Sequence, residues 1–246
     1  MRIALLSDIH ANTEALTACL RHAAEHGAQR FAFLGDFVGY GADPGGVMDI
    51  IIRYAADGAV ALKGNHDQAV EKSAGYFNEA ALAAIEWARR TLTVEQKRFL
   101  AALPLLTREG TVCYVHASAA SPERWDYIDS PSAAKRCAEA ARSSHTFCGH
   151  VHDQVLYFEN KNGKMSAFRP VPGTAIPVRS PRRWVAIVGS VGQPRDRNPA
   201  AGYALFDRER EQLTFYRVAY DALAAADRIR KSGLPESLAC RVELGI

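Results

Sequence analysis

Five short blocks of the chain hold residue types that ligate divalent metal ions: Asp8-Ile9-His10, Gly35-Asp36, Gly64-Asn65-His66-Asp67, a lone His116, and Gly149-His150-Val151-His152. Carboxylate, imidazole and amide-carbonyl donors suit manganese, iron or zinc better than a thiolate-seeking metal. Within Asp8-x-His10 and His150-x-His152, two-residue spacing in extended backbone turns both side chains to one side, so each pair is expected to chelate at one site. Asp8, His10, Asp36, Asn65, His116, His150 and His152 are more candidate ligands than one tetrahedral ion takes. Two ions sharing one carboxylate would use them all, so the expected centre is binuclear. Taken singly, each block has a plainer explanation: Asp and Asn at strand ends commonly form turns and caps, and a lone histidine is commonly half-buried and structural. Their joint occurrence at successive strand ends is what points to a metal site.

Strands must hold these blocks, and the hydrophobic pattern supplies them. Apolar runs at Ile3–Ser7, Phe31–Leu34 and Ala59–Leu62 alternate with helical stretches, which predicts parallel strands joined by helical crossovers, an α/β arrangement. Asn12 is expected to cap the first helix, and Asp43 with Pro44 to start the second. Residues 78–102 read as two helices, the second opened by Thr93 with Gln96 in capping-box positions. After Pro104 the chain turns to strands: Val112–His116, Thr146–Cys148, Val155–Glu159, Met165–Pro170, Trp184–Val188, Tyr203–Phe206 and Gln212–Val218. The turn sequence Asn160-Lys161-Asn162-Gly163 predicts a hairpin. Ligand blocks therefore fall at strand ends, where open α/β sheets place their crevices.

Length and composition allow 246 residues, 48% hydrophobic and 23% charged, to form one domain over 1–246. A formal charge of +3 is too small to argue for a nucleic-acid binder, though it admits anionic substrates. Five scattered cysteines with no C-x-x-C pair argue against a disulfide framework and a thiolate zinc site, and suit a reducing cytoplasm. No signal core or membrane-spanning run is expected.

The ordered set D-x-H, G-D, G-N-H-D, H and G-H-x-H resembles the calcineurin-like metallophosphoesterase superfamily, with every motif position filled. Further on, Gly189-Ser190-Val191-Gly192-Gln193-Pro194-Arg195-Asp196 looks like a segment of its bacterial branch of YfcE-like and diadenosine tetraphosphatase-like proteins. Relatives often carry Gly at the position of Ala11, a change expected to be mild. The resemblance implies a two-sheet β-sandwich flanked by helices in four layers, α/β/β/α. It further implies one ion held by Asp8, His10, Asp36 and His152, and another by Asp36, Asn65, His116 and His150, with Asp36 bridging. A water activated between the ions would attack phosphorus in line. His66 matches the position that faces the leaving-group oxygen, where a protonated imidazole would act as general acid.

Other residues stand as weaker candidates. Asn12 could reach a substrate oxygen, although capping is its ordinary role. Arg195, ahead of Arg197, could clamp a phosphate, and Tyr40 could stack on a base at the pocket mouth. Asp67 either fixes a histidine tautomer or makes a turn. His22 and His26 read as a solvated helix face, His145 as structural, and Arg179, Arg182 and Arg183 as a solvated loop. The expected substrates are phosphodiesters, dinucleoside polyphosphates or small phosphomonoesters. A nucleic-acid end-processing phosphatase or nuclease, and a non-catalytic protein-binding scaffold, are the competing readings; a homodimer stays open.

Overall fold

Short apolar runs separated by capped helices build the first half of the chain. They form β1 (Arg2–Leu6), α1 (Thr13–Glu25), β2 (Arg30–Phe33), α2 (Pro44–Ala56) and β3 (Val60–Ala61), followed by α3 (Asn65–Glu71), α4 (Glu79–Thr91) and α5 (Val94–Ala102). The computed structural model describes residues 1–72 and 77–246. Asn12 caps α1 by accepting from Ala15 N at 3.0 Å, and Asp43 caps α2 by accepting from Gly46 N at 2.9 Å. Thr93 and Gln96 form the expected capping box at α5.

The second half supplies β4 (Leu106–Glu109), β5 (Val112–Val115), α6 (Pro131–Ala141), β6 (His145–Cys148), β7 (Gln154–Glu159), β8 (Met165–Phe168), β9 (Ala175–Pro177), β10 (Trp184–Val188), β11 (Ala201–Asp207), β12 (Gln212–Val218), α7 (Ala222–Lys231) and α8 (Glu236–Leu244). The β7–β8 hairpin closes at the predicted Asn160 turn. Three helices, α6, α7 and α8, lie where the sequence reading had no element. The buried faces of α6 and α7 are largely alanine, which favours helix but leaves a weak apolar stripe to read.

Two six-stranded mixed sheets result, in the orders β3-β2-β1-β11-β12-β9 and β4-β5-β6-β10-β7-β8. β1, β2 and β3 run parallel, as the alternating pattern predicts. The sheets face each other across an apolar interior that includes Leu5, Leu34, Phe206 and Phe215 from one, and Tyr114, Phe147 and Ala186 from the other. On the outer faces, α1 and α2 pack against the first sheet and α6 against the second. The implied α/β/β/α sandwich is therefore observed. Among the described residues no helix is long and apolar enough to cross a membrane.

Candidate metal centre

All the ligand blocks meet at one end of the sandwich, because the strands carrying them end there. The loops after β1, β2 and β3 approach those after β5, β6 and β10, and backbone bonds stitch them together. Asp8 N donates to Gly35 O at 3.0 Å, Gly149 N to His116 O at 2.9 Å, and Gly192 N to Asp8 O at 2.9 Å. Room for this is tight: a Cβ at Gly149 would fall onto Ser7 Oγ and Asp8 Oδ2.

The backbone here is not extended as the spacing argument assumed. Asp8, His10, Asp36, His150 and His152 all have positive φ, between 49° and 70°. Left-handed backbone at non-glycine residues costs energy, and a cluster of it belongs to functional sites. Ala11 shares it, with φ 51°, so its difference from the glycine of relatives is one of backbone preference more than of volume. This turn geometry also separates His150 from His152, which the sequence reading expected at one site. His152 groups with Asp8 and His10, whereas His150 groups with Asp36 and His116.

Three imidazoles are fixed in orientation by main-chain acceptors. His10 Nδ1 donates to Val38 O at 3.1 Å, His116 Nδ1 to Leu34 O at 2.8 Å, and His152 Nδ1 to Gln193 O at 2.6 Å. A carbonyl only accepts, so each Nδ1 carries a proton and each Nε2 points inward, where the neutral ring offers its lone pair. His10 Nε2 and His152 Nε2 stand 3.2 Å apart, and His152 Nε2 is 3.3 Å from Asp8 Oδ1. His116 Nε2 lies 3.3 Å from Asp36 Oδ2 and 3.1 Å from Asn65 Oδ1. His150 Nε2 is buried without a partner. Lone pairs facing each other and facing carboxylates repel, and a cation between them turns that repulsion into ligation. The residues therefore fit divalent metal.

Asp36 sits between the two groups. Its Oδ1 accepts from His66 N at 2.8 Å, which leaves Oδ2 3.3 Å from His116 Nε2 and 3.8 Å from His10 Nε2. Burial would raise Asp36, but the neighbouring histidines, His116 above all, hold it well below the usual carboxylate range. Burial likewise opposes ionisation of Asp8, and His152 overrides it. Burial pushes His10 well down and His150 to about 3, keeping both neutral and ready to ligate. His116 is the exception: burial would lower it, yet Asp36 raises it to about 9.

His66 lies beside this cluster, its ring 4.9 Å from that of His10 and 4.5 Å from Tyr40. Burial pushes it down to about 4, so its resting form is neutral rather than the imidazolium expected from the sequence. Asp67 neither sets a tautomer nor merely turns the chain. Its carboxylate accepts from Asp36 N (2.8 Å), Phe37 N (2.8 Å), Val38 N (3.3 Å) and Gly64 N (2.9 Å), and so holds the Asp36 loop against the Asn65 loop. Burial and the Asp36 charge raise it to about 7.

A cavity of about 280 Å³ opens over the candidate metal ligands, walled by Tyr40, Phe77, Tyr127, Arg195 and Arg241 among others. Arg195 lies over the Tyr40 ring, 5.7 Å from its centroid. Tyr127 stacks on His150 at 4.1 Å. Tyr127 and Arg241 gave no signal in the sequence, because neither stands in a motif and both arrive from segments remote in the chain. Asn12 faces inward: besides its cap, Nδ2 donates to Gly192 O at 3.0 Å and Tyr220 Oη at 3.2 Å.

Elsewhere, His22 and His26 stack at 4.0 Å, and His22 bonds Tyr203 Oη at 2.8 Å, so this pair packs on a tyrosine cluster instead of forming a solvated face. His145 is structural, donating to Val178 O. Arg183 pairs with Glu159 at 2.6 Å, and Arg182 lies over Trp184, so that loop is anchored rather than solvated.

Residues 1–211 match the calcineurin-like phosphoesterase superfamily domain. An uncharacterized protein of Methanocaldococcus jannaschii is 33% identical over 99% of this chain and 98% of its own. The crystal structure of a metallophosphoesterase from Sphaerobacter thermophilus superposes with TM-score 0.90 at 33% identity, covering 100% of this chain and 99% of that one. That of a putative diadenosine tetraphosphatase shares the fold at TM-score 0.53 and 16% identity, over 89% of this chain and 94% of that one. The chain belongs to the calcineurin-like phosphoesterase superfamily.

Proposed function

We propose that this calcineurin-like phosphoesterase hydrolyses small phosphate esters, whether phosphodiesters, dinucleoside polyphosphates or phosphomonoesters, with two divalent ions of manganese, iron or zinc. The observation that carries this reading is Asp36, with one oxygen pinned by His66 N and the other presented to both histidine groups. Asp8, His10, Asp36 and His152 would hold one ion, and Asp36, Asn65, His116 and His150 the other. When bound, such a pair lowers the pKa of water toward neutrality and neutralises phosphoryl oxygens.

The chain's own residues do the rest. Asp67 holds the loops that carry Asp36 and Asn65. Arg195 and Tyr40 face the cavity and bind non-bridging phosphoryl oxygens. His66, with Nδ1 buried and unpartnered, donates to the leaving-group oxygen. The negative charge of a bound phosphate acts on its pKa in the direction of protonation. Asn12, with its polar atoms committed to Ala15, Gly192 and Tyr220, is proposed as a positioning residue only. One domain over 1–246 and a reducing cytoplasm complete the reading, in keeping with five free cysteines.

The test is hydrolysis of bis(p-nitrophenyl) phosphate, p-nitrophenyl phosphate and diadenosine tetraphosphate by metal-stripped protein, with and without manganese. Turnover restored by manganese is expected, and it ranks the three ester classes. Metal shown to be bound with no turnover of any of them would overturn the reading for these classes.

A further inference from the structure

Several arginines of this molecule are paired with carboxylates. Arg2 pairs with Asp207, Arg30 with Glu109, Arg183 with Glu159, and Arg228 with Glu14. The two that line the cavity are not. Arg195 donates to Gln193 Oε1 at 3.1 Å and Tyr40 Oη at 3.4 Å, both neutral, while its Nε is buried without a partner. Arg241 has no side-chain hydrogen bond or ion pair among the described residues; Glu79 shares an adjoining hollow with it without reaching ion-pair distance. The carboxylates nearest in sequence are drawn away. Asp196 is held by Arg217, and both Glu236 and Glu243 on α8 are held by Arg230. Among the described residues Asp36 is the only carboxylate in the cavity wall, and it belongs to the proposed metal ligands. A guanidinium facing a cavity without a counter-ion is a binding group for an anion.

One arginine beside the metal ligands answers to the phosphate being hydrolysed; a second, from a helix beyond the matched residues 1–211, is surplus to it. Resting on the phosphoesterase reading, we propose that Arg241, together with Arg195, forms a subsite for a second phosphate of the substrate, adjoining the one that is cleaved. At about 280 Å³ the cavity is at the small end for ligand sites, which suits a compact polyanion with any larger groups outside. The second phosphate belongs either to a bridged chain or to a separate ester on the same small molecule.

Two measurements decide it, on manganese-loaded parent, Arg241→Gln and Arg241→Lys. In calorimetry, methylenediphosphonate is compared with methylphosphonate. Arg241→Gln should cut the preference for the diphosphonate about tenfold, the scale of one charge-assisted contact, with part restored by Arg241→Lys. In kinetics, KM for diadenosine tetraphosphate (bridged) or fructose 1,6-bisphosphate (separate) should rise in Arg241→Gln relative to KM for p-nitrophenyl phosphate, and whichever responds names the source. An unchanged binding preference in Arg241→Gln would overturn the subsite. A parent that binds the diphosphonate through Arg241 yet hydrolyses no ester would instead overturn the phosphoesterase reading.

Discussion

Asp36 is the side chain on which the proposal of two ions turns. Its Oδ1 is satisfied by His66 N, so rotation that would turn Oδ2 away from His116 and His10 breaks a buried hydrogen bond. Asp36→Ala should therefore lose metal and activity together; metal content equal to the parent by elemental analysis would refute the shared-ligand role. His66→Ala, by contrast, should keep its metal and lose about a hundredfold in kcat, most for poor leaving groups. Equal rates on an alkyl phosphodiester would remove the proton-donor role. The identity of these residues was legible in the sequence because metal chemistry restricts the donors so narrowly. Asp67 was not, since its partners are backbone amides of residues 36–38, and nothing local in the sequence announces that. Nor was the neutral resting state of His66, which depends on burial by side chains from distant segments.

Elements deliver these side chains through their ends, and the ends are where sequence reading was both strongest and most mistaken. β1, β2 and β3 stop just before Asp8, Asp36 and Asn65, as the apolar runs indicated, but left-handed turns, not extended backbone, aim the ligands. That is why His150 and His152 diverge. Asn12 joins two elements at once, capping α1 and tying it to Gly192 and Tyr220. Asn12→Ala should cost about 1 kcal/mol for the cap, and more for the acceptor left unpaired at Gly192. Denaturant melts would read the loss, and an unchanged KM for p-nitrophenyl phosphate is expected alongside it. A large rise in KM with stability intact would return Asn12 to the substrate. α7 escaped notice because an alanine-rich helix carries little apolar contrast, and α8 because its nine residues bury only Leu238, Ala239 and Val242, yet α8 brings Arg241 to the cavity.

At the scale of the whole molecule, the candidate metal site is where the two sheets are joined. Candidate ligands come from β1, β2 and β3 on one side and from β5 and β6 on the other, so like-oriented lone pairs and carboxylates are forced together unless a cation intervenes. In the metal-free protein a proton does part of this work. Asp36 raises His116 from 6.5 to about 9, so the folded state holds that proton more tightly than the unfolded chain. The resulting stability is fully present below pH 6.5 and is lost as pH rises through about 9. Manganese must displace the same proton, so its apparent affinity should climb with pH and level off near 9, with one proton released on binding at neutral pH. His10 and His150, held neutral by burial, release none. Saturating manganese at a hundredfold excess over its Kd should add about 2.7 kcal/mol. Thermal melts from pH 6 to 10 should show the metal-free Tm falling across this window while the gap to the manganese-loaded Tm widens. A metal-free Tm that is flat there, or calorimetry with no proton release in buffers of different ionisation enthalpy, would mean that His116 is already neutral and that Asp36 does not face it in solution.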